Sequence, residues 1–305
     1  MPVFKAAALK IGSTWIGGIS QQTATNEANV QSTPVAGSAY PLQLNINSIK
    51  DSFSFQTFNV AAALTALGAL GADLNSNAAE LYEIQWTDAG QIAAGSSHRK
   101  MVFAQGRAVP RRLTCRNGED ASLEIMIMGI SSDGATNPLA ITESVALPAA
   151  LDDARHTLHS GTFATIGLGC LENVDIDFGI TIESKNCTSD IFDSRIEISS
   201  IVPKINVTTL KADLIGNGGS QIPNTGKAGT HANSNFRFRK RTPKVASFVA
   251  SATEEHILIT VDGTAVPTTM FQSSNNDDGT AVIEITARFD GTNVPLVIDT
   301  TAALT

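Results

Sequence analysis

Cysteine, tryptophan and tyrosine are scarce in this chain, and charged residues make up only 16% of it. The 305 residues include three cysteines, Cys115, Cys170 and Cys187. They are too few and too scattered for a disulfide framework or a zinc site. The sequence therefore predicts three small buried thiols in a reducing compartment.

Long hydrophobic runs are also missing. No stretch approaches the ~18 apolar residues of a membrane span, so no membrane insertion is expected. The opening MPVFKAAALKIGSTW has too short an apolar part for a signal peptide, and Lys10 interrupts it. We therefore expect a protein that is made and kept in the cytosol until it is assembled.

The chain does contain a long internal similarity. Residues 106–147 match residues 263–304 once a shift of three residues is allowed between the anchors. Residues 42–58 also align without gaps to residues 194–210, with the same apolar rhythm. The main identities of the first pair recur at offsets of 157 or 160: Gly106, Ala108, Val109, Pro110, Ala121, Glu124, Ile125, Asp133, Gly134, Pro138, Leu139 and Ile141.

These repeats predict two tandem copies of one domain, residues 1–150 and 151–305, with a junction near residues 148–156. The hydrophobic content of 42% is enough for a core in each copy. His156 and His159 are three residues apart, but they fall at this junction. An exposed linker is therefore favoured over a metal site.

Alternation of apolar and polar residues dominates the pattern and predicts a mainly β fold. Val60–Leu74 is the one segment with helical spacing, and its counterpart in the second copy is the shorter Thr208–Ile215. Two polar regions, Ser20–Tyr40 and Gly216–Asn235, are predicted to lack strands of their own. The strands are predicted at Leu42–Ile46, Ser52–Phe58, Leu123–Ile127, Asp175–Ile182, Arg195–Ile198, Lys204–Val207, His256–Val261 and Ala281–Ala287.

Motifs for catalysis are not found. No serine lies in a nucleophile elbow, and no phosphate-binding glycine loop follows a strand and opens a helix. The acidic pair Asp277–Asp278 is typical of a turn. We therefore expect no catalytic residue, cofactor or metal, and do not predict an enzyme.

One basic cluster is the sharpest electrostatic feature, in a chain whose net charge is −8. An alternating strand that buries Phe236 and Phe238 would offer these charges to an acidic neighbouring subunit. The alternative is nucleic-acid binding, in which the phenylalanines stack on bases and the charges neutralise phosphate. The candidate subunit-interface residues are Arg237, Arg239, Lys240, Arg241 and Lys244.

The closing segment AVIEITARFDGTNVPLVIDTTAAL (residues 281–304) resembles the last strands of the major tail (tail tube) proteins of long-tailed bacteriophages. Its first-copy match at residues 121–147 shares the pattern more weakly. The order of strand pair, helix, long loop, hairpin and closing strands is also similar to that family.

This resemblance implies a β-sandwich or half-barrel in each copy, flanked by one short helix. It also implies a structural virion protein, assembled in the host cytoplasm, whose rings stack into a hollow tube that conducts the genome. A duplicated chain suggests homotrimeric rings with pseudo-sixfold symmetry. The implied partners are other copies of the chain, other tail proteins at the tube ends, and DNA in transient, non-specific passage.

Two alternatives remain open. A baseplate hub or distal tail protein can hold two tube-like folds in a trimer, although 305 residues leave little room for the extra domains of a hub. An adhesin or carbohydrate-binding module with two β-sandwich repeats belongs to another class. It would need export and exposed aromatic side chains, whereas the chain has only two tryptophans and two tyrosines.

Overall fold

The computed structural model describes residues 3–34, 41–148, 153–216, 218, 221–223, 230–243, 245, 247–273 and 279–304. The protein is mainly β, as the alternating pattern predicts. The described residues form strands β1–β20, one α-helix and one short 3₁₀ turn. The strands fall into two successive sets, here the first unit (residues 3–148) and the second unit (residues 153–304).

The first unit contains ten strands and helix α1 (Val60–Leu67) between β4 and β5. Its strands are β1 (Val3–Ile11), β2 (Thr14–Ile16), β3 (Ile19–Pro34), β4 (Pro41–Thr57), β5 (Ala72–Asp73), β6 (Ala79–Trp86), β7 (His98–Phe103), β8 (Gly106–Arg116), β9 (Ser122–Gly129) and β10 (Leu139–Val145).

The second unit also contains ten strands, with a 3₁₀ turn (Ala212–Leu214) after β16. Its strands are β11 (His156–Phe163), β12 (Ile166–Gly167), β13 (Leu171–Asp177), β14 (Ile180–Lys185), β15 (Arg195–Ile201), β16 (Lys204–Thr209), β17 (Thr230–Lys240), β18 (His256–Gln272), β19 (Thr280–Ala287) and β20 (Leu296–Ala302).

The strands form one large sheet, a five-stranded sheet and a two-stranded ribbon. The five-stranded sheet has the order β10-β7-β6-β1-β2, and the ribbon pairs β14 with β15. The path through the large sheet is β12-β11-β17-β18-β19-β16-β13-β8-β9-β4-β3. Its last eight strands, β18 to β3, are antiparallel throughout and run through both units.

The hydrophobic core follows from the alternation of apolar and polar residues along the strands. Phe53 and Phe55 on β4 lie opposite Ile127 and Ile125 on β9, and all four side chains are buried. Helix α1 adds Leu64 and other apolar side chains to the same cluster. Burial of such side chains stabilises the fold by roughly 2 kcal/mol each.

Helix α1 is shorter than predicted. It ends at Leu67, seven residues before Leu74, because Gly68 adopts φ +62° and its N–H donates to Leu64 O at 2.7 Å. A glycine with positive φ is a common helix terminator. The predicted second helix at Thr208–Ile215 is wrong: its first residues end β16, and only a 3₁₀ turn follows.

Two other local predictions are wrong. Residues 20–34 belong to β3, which is polar yet pairs along its length with β4. Of the polar region Gly216–Asn235, residues 230–235 belong to β17, and residues 217, 219–220 and 224–229 lie outside the described residues.

The same pairing pattern occurs twice along the chain. In the first unit β1 pairs with β6, β6 with β7, β7 with β10, β3 with β4, and β4 with β9. The second unit repeats these pairings in the same order: β11 pairs with β17, β17 with β18, β18 with β20, β13 with β16, and β16 with β19. Even the register shift after the first pair of β3 and β4 (Ile19↔Thr57) recurs after Leu171↔Thr209.

Individual side chains repeat their contacts as well. Thr57 Oγ1 donates to Gly17 O at 2.6 Å, and Thr209 Oγ1 donates to Gly169 O at 2.7 Å. His98 Nδ1 accepts a bond from Gln85 N at 3.1 Å, and His256 Nδ1 accepts one from Lys240 N at 3.0 Å.

The ladders correct one detail of the sequence alignment. The pairs Thr57↔Leu123 and Thr209↔Ala281 occupy the same place in the two units. β9 and β19 are therefore related by an offset of 158, not 160. The difference of two residues leaves the alternation unchanged, because side chains in a strand repeat every two residues.

Candidate subunit interface

The predicted basic cluster lies at the end of β17. This strand lies between β11 and β18, and it buries Phe236 and Phe238 completely, as predicted. Arg237 and Arg239 alternate with the two phenylalanines and remain partly exposed. Because both rings are buried, neither can stack on a nucleic-acid base.

Two members of the cluster have partners within the second unit. Arg239 Nε donates to Val249 O at 3.1 Å, and its guanidinium lies 5.2 Å from the centre of the Phe248 ring. Lys240 Nζ lies 2.8 Å from a carboxylate oxygen of Glu255.

Arg241 reaches into the first unit. Its Nε lies 2.6 Å from Asp120 Oδ1, and its Nη2 donates to Gly118 O at 2.8 Å. Arg155 also contacts the Asp120 carboxylate, at 3.0 Å. These two arginines of the second unit therefore hold the turn between β8 and β9, so part of the basic cluster contacts an acidic neighbour inside the chain.

The remaining two members of the basic cluster are Arg237 and Lys244. Arg237 forms no ion pair with any residue that the structure describes. Lys244 lies outside the described residues. A role in contacts between chains therefore rests mainly on Arg237.

A larger contact between the units was not predicted. Residues Arg112–Arg116 of β8 pair antiparallel with Asn173–Asp177 of β13, and we call this ladder the internal junction. Within it Leu113 lies opposite Ile176, and both side chains are completely buried. The two units therefore share one continuous sheet.

An ion pair stabilises the internal junction. Arg112 Nε donates to Asp175 Oδ1 at 2.6 Å, and Arg112 Nη2 binds the second oxygen. The bond to Asp175 raises the pKa of Arg112, so the guanidinium stays charged. The sequence signal for this contact was the run of arginines on β8 and the alternating aspartates on β13, but alternation alone does not say which strands meet.

Two strand segments border the eight-stranded run of the large sheet from β18 to β3. β3 is the last strand of this run and pairs only with β4 among the described strands. Among the described residues, β17 begins at Thr230 and pairs with β18 as far as Ala265, and from Val266 to Gln272 the described ladder of β18 is with β19. We call these segments the β3 edge and the β18 edge (Val266–Gln272).

Neither edge carries a lysine or an arginine. β3 has one charged residue, Glu27, in its 16 residues, and the β18 edge has none. Phe271 on the β18 edge is 63% exposed. Monomeric proteins usually guard long edge strands with lysines, prolines, β-bulges or a covering element. The β18 edge has Pro267 and two register shifts of this kind, whereas the β3 edge has a proline only at its last residue, Pro34.

Metal-binding clusters and membrane-spanning helices are both missing from the part of the chain that the structure describes. No group of three His, Cys, Asp or Glu side chains there is placed to hold a metal ion. Among those residues, no helix has the length and apolar character needed to cross a membrane. In comparisons with known proteins, neither a family model nor a curated protein matches the chain.

Proposed function

We propose that the chain is a structural virion protein whose rings stack into the hollow tail tube of a long-tailed bacteriophage. The observation that carries this proposal is the antiparallel sheet that joins both units through the internal junction and ends in β3, which pairs only with β4 among the described strands. A sheet that is already joined once between similar units can be joined again between chains by the same kind of contact.

In such a ring, β3 of one chain would meet a different surface of the next chain. Contacts between unlike surfaces generate closed rings when the rotation closes, and filaments when it does not. Three chains, with two units each, would fill six similar positions with eight strands per chain. A closed sheet of that size leaves a wide channel, since barrels of about 16 strands already enclose an aqueous pore.

The extent of the surface supports assembly. The chain exposes 15619 Å², whereas a folded monomer of 32.0 kDa is expected to expose about 12,000 Å². Exposed apolar side chains include Val30 on β3 and Phe271 and Phe289 in the second unit, each more than half exposed. Surface of this kind is typical of a chain that is covered by neighbours.

The charge suits passage of DNA without binding. With a net charge of −8, the assembled protein has no general attraction for phosphate, so DNA would not adhere to it. The buried rings of Phe236 and Phe238 also weaken the nucleic-acid alternative for the basic cluster.

The proposal is tested by assembly of the purified chain. We expect rings of three chains by light scattering after size exclusion, and stacked hollow cylinders in negative-stain micrographs at high concentration. Single rings that never stack would favour a hub or distal tail protein. A chain that stays monomeric at high concentration would contradict both and favour the β-sandwich binding module.

A further inference from the structure

Two turns of the chain have the same local structure. One is Asp133–Thr136, which follows β9, and the other is Asp290–Asn293, which follows β19. In each turn one carboxylate oxygen of the aspartate accepts bonds from the backbone N–H groups two and three residues later, at 2.7 to 3.0 Å. The next residue is a glycine with positive φ in both, Gly134 at +69° and Gly291 at +93°. The two turns therefore occupy equivalent places in the two units.

The ribbon covers the first of these turns. Gly134 O accepts bonds from Ile191 N at 2.9 Å and from Phe192 N at 3.0 Å, in the loop that joins β14 to β15. The Asp190 side chain of the same loop lies so close to Gly134 that a Cβ atom on this glycine would have no room. Gly134 is therefore buried, and we call residues 133–136 the covered turn.

The second turn is exposed. Among the described residues nothing lies within 4 Å of the place that a Cβ atom on Gly291 would take, and none donates a backbone bond to Gly291 O. Phe289 and Val294, on either side of the turn, are each more than half exposed. The covered turn has a serine and an asparagine at these places. Residues 290–293, here the bare turn, thus present an unused carbonyl between two exposed apolar side chains.

The hairpin that covers the first turn has a counterpart in the first unit. The six residue pairs of the ribbon match six pairs of β3 and β4 at a constant offset of 152, so that Ile180↔Ile201 corresponds to Ala28↔Ile49. The register shift after the second of these pairs also occurs in both hairpins. We call the matching part of the first unit, residues 28–33 and 43–49, the arm.

The arm and the ribbon differ in the same way as the two turns. Ile182 and Ile198 of the ribbon pack against the hydrophobic core, whereas their counterparts Val30 and Ile46 on the arm are each more than half exposed. The ribbon has charged residues where the arm has Gln31, Thr33, Gln43 and Asn45. The charged hairpin therefore contacts a turn with polar flanks, and the uncharged hairpin suits a turn with apolar flanks.

We propose that the bare turn of one chain is a docking site for the arm of a second copy of the chain. Within the chain, a hairpin of the second unit covers a turn of the first unit. The equivalent contact between chains joins the first unit of one copy to the second unit of the next, and it covers Phe289 and Val294. This inference rests on the proposed ring, in which the same head-to-tail contact recurs at each subunit boundary.

Photo-cross-linking in the assembled protein tests the docking. The photoreactive residue p-benzoylphenylalanine replaces Phe289, and isotopically light and heavy chains are mixed before assembly. We expect mass spectrometry to find the main adduct between residue 289 of one chain and the arm of another. In the matched control the same residue replaces Ser132, which is exposed beside the covered turn, and it should link to the ribbon of its own chain.

The outcomes distinguish this inference from the proposed function. Tubes in which residue 289 links to another segment, or to no other chain while the control at Ser132 reacts, overturn the docking but not the tube. Absence of any assembly in the unmodified chain overturns both.

A substitution in the bare turn gives a second test. Gly291→Asn should leave folding intact, because asparagine tolerates positive φ and the place is open. It should lower the assembled fraction roughly tenfold, since the new side chain would take the place that Asp190 occupies over Gly134. The matched control Gly95→Asn alters a glycine with φ +69° and equally open surroundings, and it should assemble like the unmodified chain. Equal assembly by the two variants would argue against the docking.

Discussion

At the start of β11, the imidazole of His156 is completely buried. The exposed linker predicted for this histidine is therefore wrong, because β11 places it between β17 and the turn at Glu255. Burial lowers the pKa of His156 to about 4, and the nearby Lys240 and His256 act in the same direction. Its Nε2 lies 3.2 Å from Glu255 O.

This pKa predicts loss of stability in mild acid. An unfolded histidine has a pKa near 6.5, so between about pH 6.5 and 4 the unfolded chain binds a proton that the folded chain does not. Stability is therefore present above pH 6.5 and falls as the pH drops towards 4, by roughly 3 kcal/mol for this residue. Urea unfolding at several pH values measures the slope.

The variant His156→Gln should flatten that slope, because glutamine does not titrate. His159→Gln is the matched control three residues away, where the side chain is more exposed, and it should change the slope less. An equal acid sensitivity in His156→Gln and the unmodified chain would contradict the assignment.

The cysteines differ from one another, contrary to the sequence prediction. Cys115 is buried, and burial raises the pKa of its thiol to about 11. Its sulfur accepts a bond from Leu158 N at 3.2 Å. Cys170 and Cys187 are exposed. Cys170 adopts φ +40°, at the place where the first unit has Gly18 with φ +64°.

At the scale of elements, the alternation of apolar and polar residues predicted the strands that have an apolar face. It did not predict β3, which is polar. β4, β9, β16 and β19 each have a buried face of Phe, Ile or Val, and their existence was predicted. β3 has the sequence ISQQTATNEANVQSTP, and no apolar period indicates a strand there. Its partner β4 orders it through backbone bonds, which the side-chain pattern does not record.

The site was predicted less completely than the fold. The burial of Phe236 and Phe238 followed from their spacing, but the partners of the basic residues did not. Arg241 lies 121 positions from Asp120, and Arg112 lies 63 from Asp175. Such contacts depend on which strands are neighbours, and one sequence gives no direct information on that.

The ion pair of the internal junction should be asymmetric in its energetics. The Asp175 side chain is 10% exposed, whereas that of Arg112 is 57% exposed. Arg112→Ala leaves a mostly buried carboxylate unpaired and should cost about 2–3 kcal/mol. Asp175→Ala leaves a solvated arginine and should cost about 1 kcal/mol. Urea unfolding measures both free energies.

Lys204→Ala provides the control for these variants. Lys204 Nζ lies 3.4 Å from Glu284, the Lys204 side chain is exposed and that of Glu284 is partly exposed. Loss of this pair should cost less than about 0.5 kcal/mol. If Asp175→Ala proved more destabilising than Arg112→Ala, the burial argument for the junction would be wrong.

At the scale of the whole molecule, the internal junction makes one folded chain of the two units. It is fixed by covalent linkage, an ion pair and the buried pair Leu113 and Ile176. A chain joined in this way would fold alone and then assemble, because this junction needs no second chain.

The basic cluster gives the last prediction, because its members separate folding from assembly. Arg241→Glu would place a carboxylate beside Asp120 and should destabilise the folded chain by roughly 1–2 kcal/mol. Arg237 is partly exposed and forms no ion pair within the described chain. Arg237→Glu should therefore change the unfolding free energy by less than about 0.5 kcal/mol, while lowering the fraction of protein in sedimentable tubes.

Arg237→Gln, which removes the charge without reversing it, should have an intermediate effect on assembly. Unchanged tube formation by Arg237→Glu would remove the cluster from the subunit interface, and loss of DNA binding in the same variant would favour the nucleic-acid alternative.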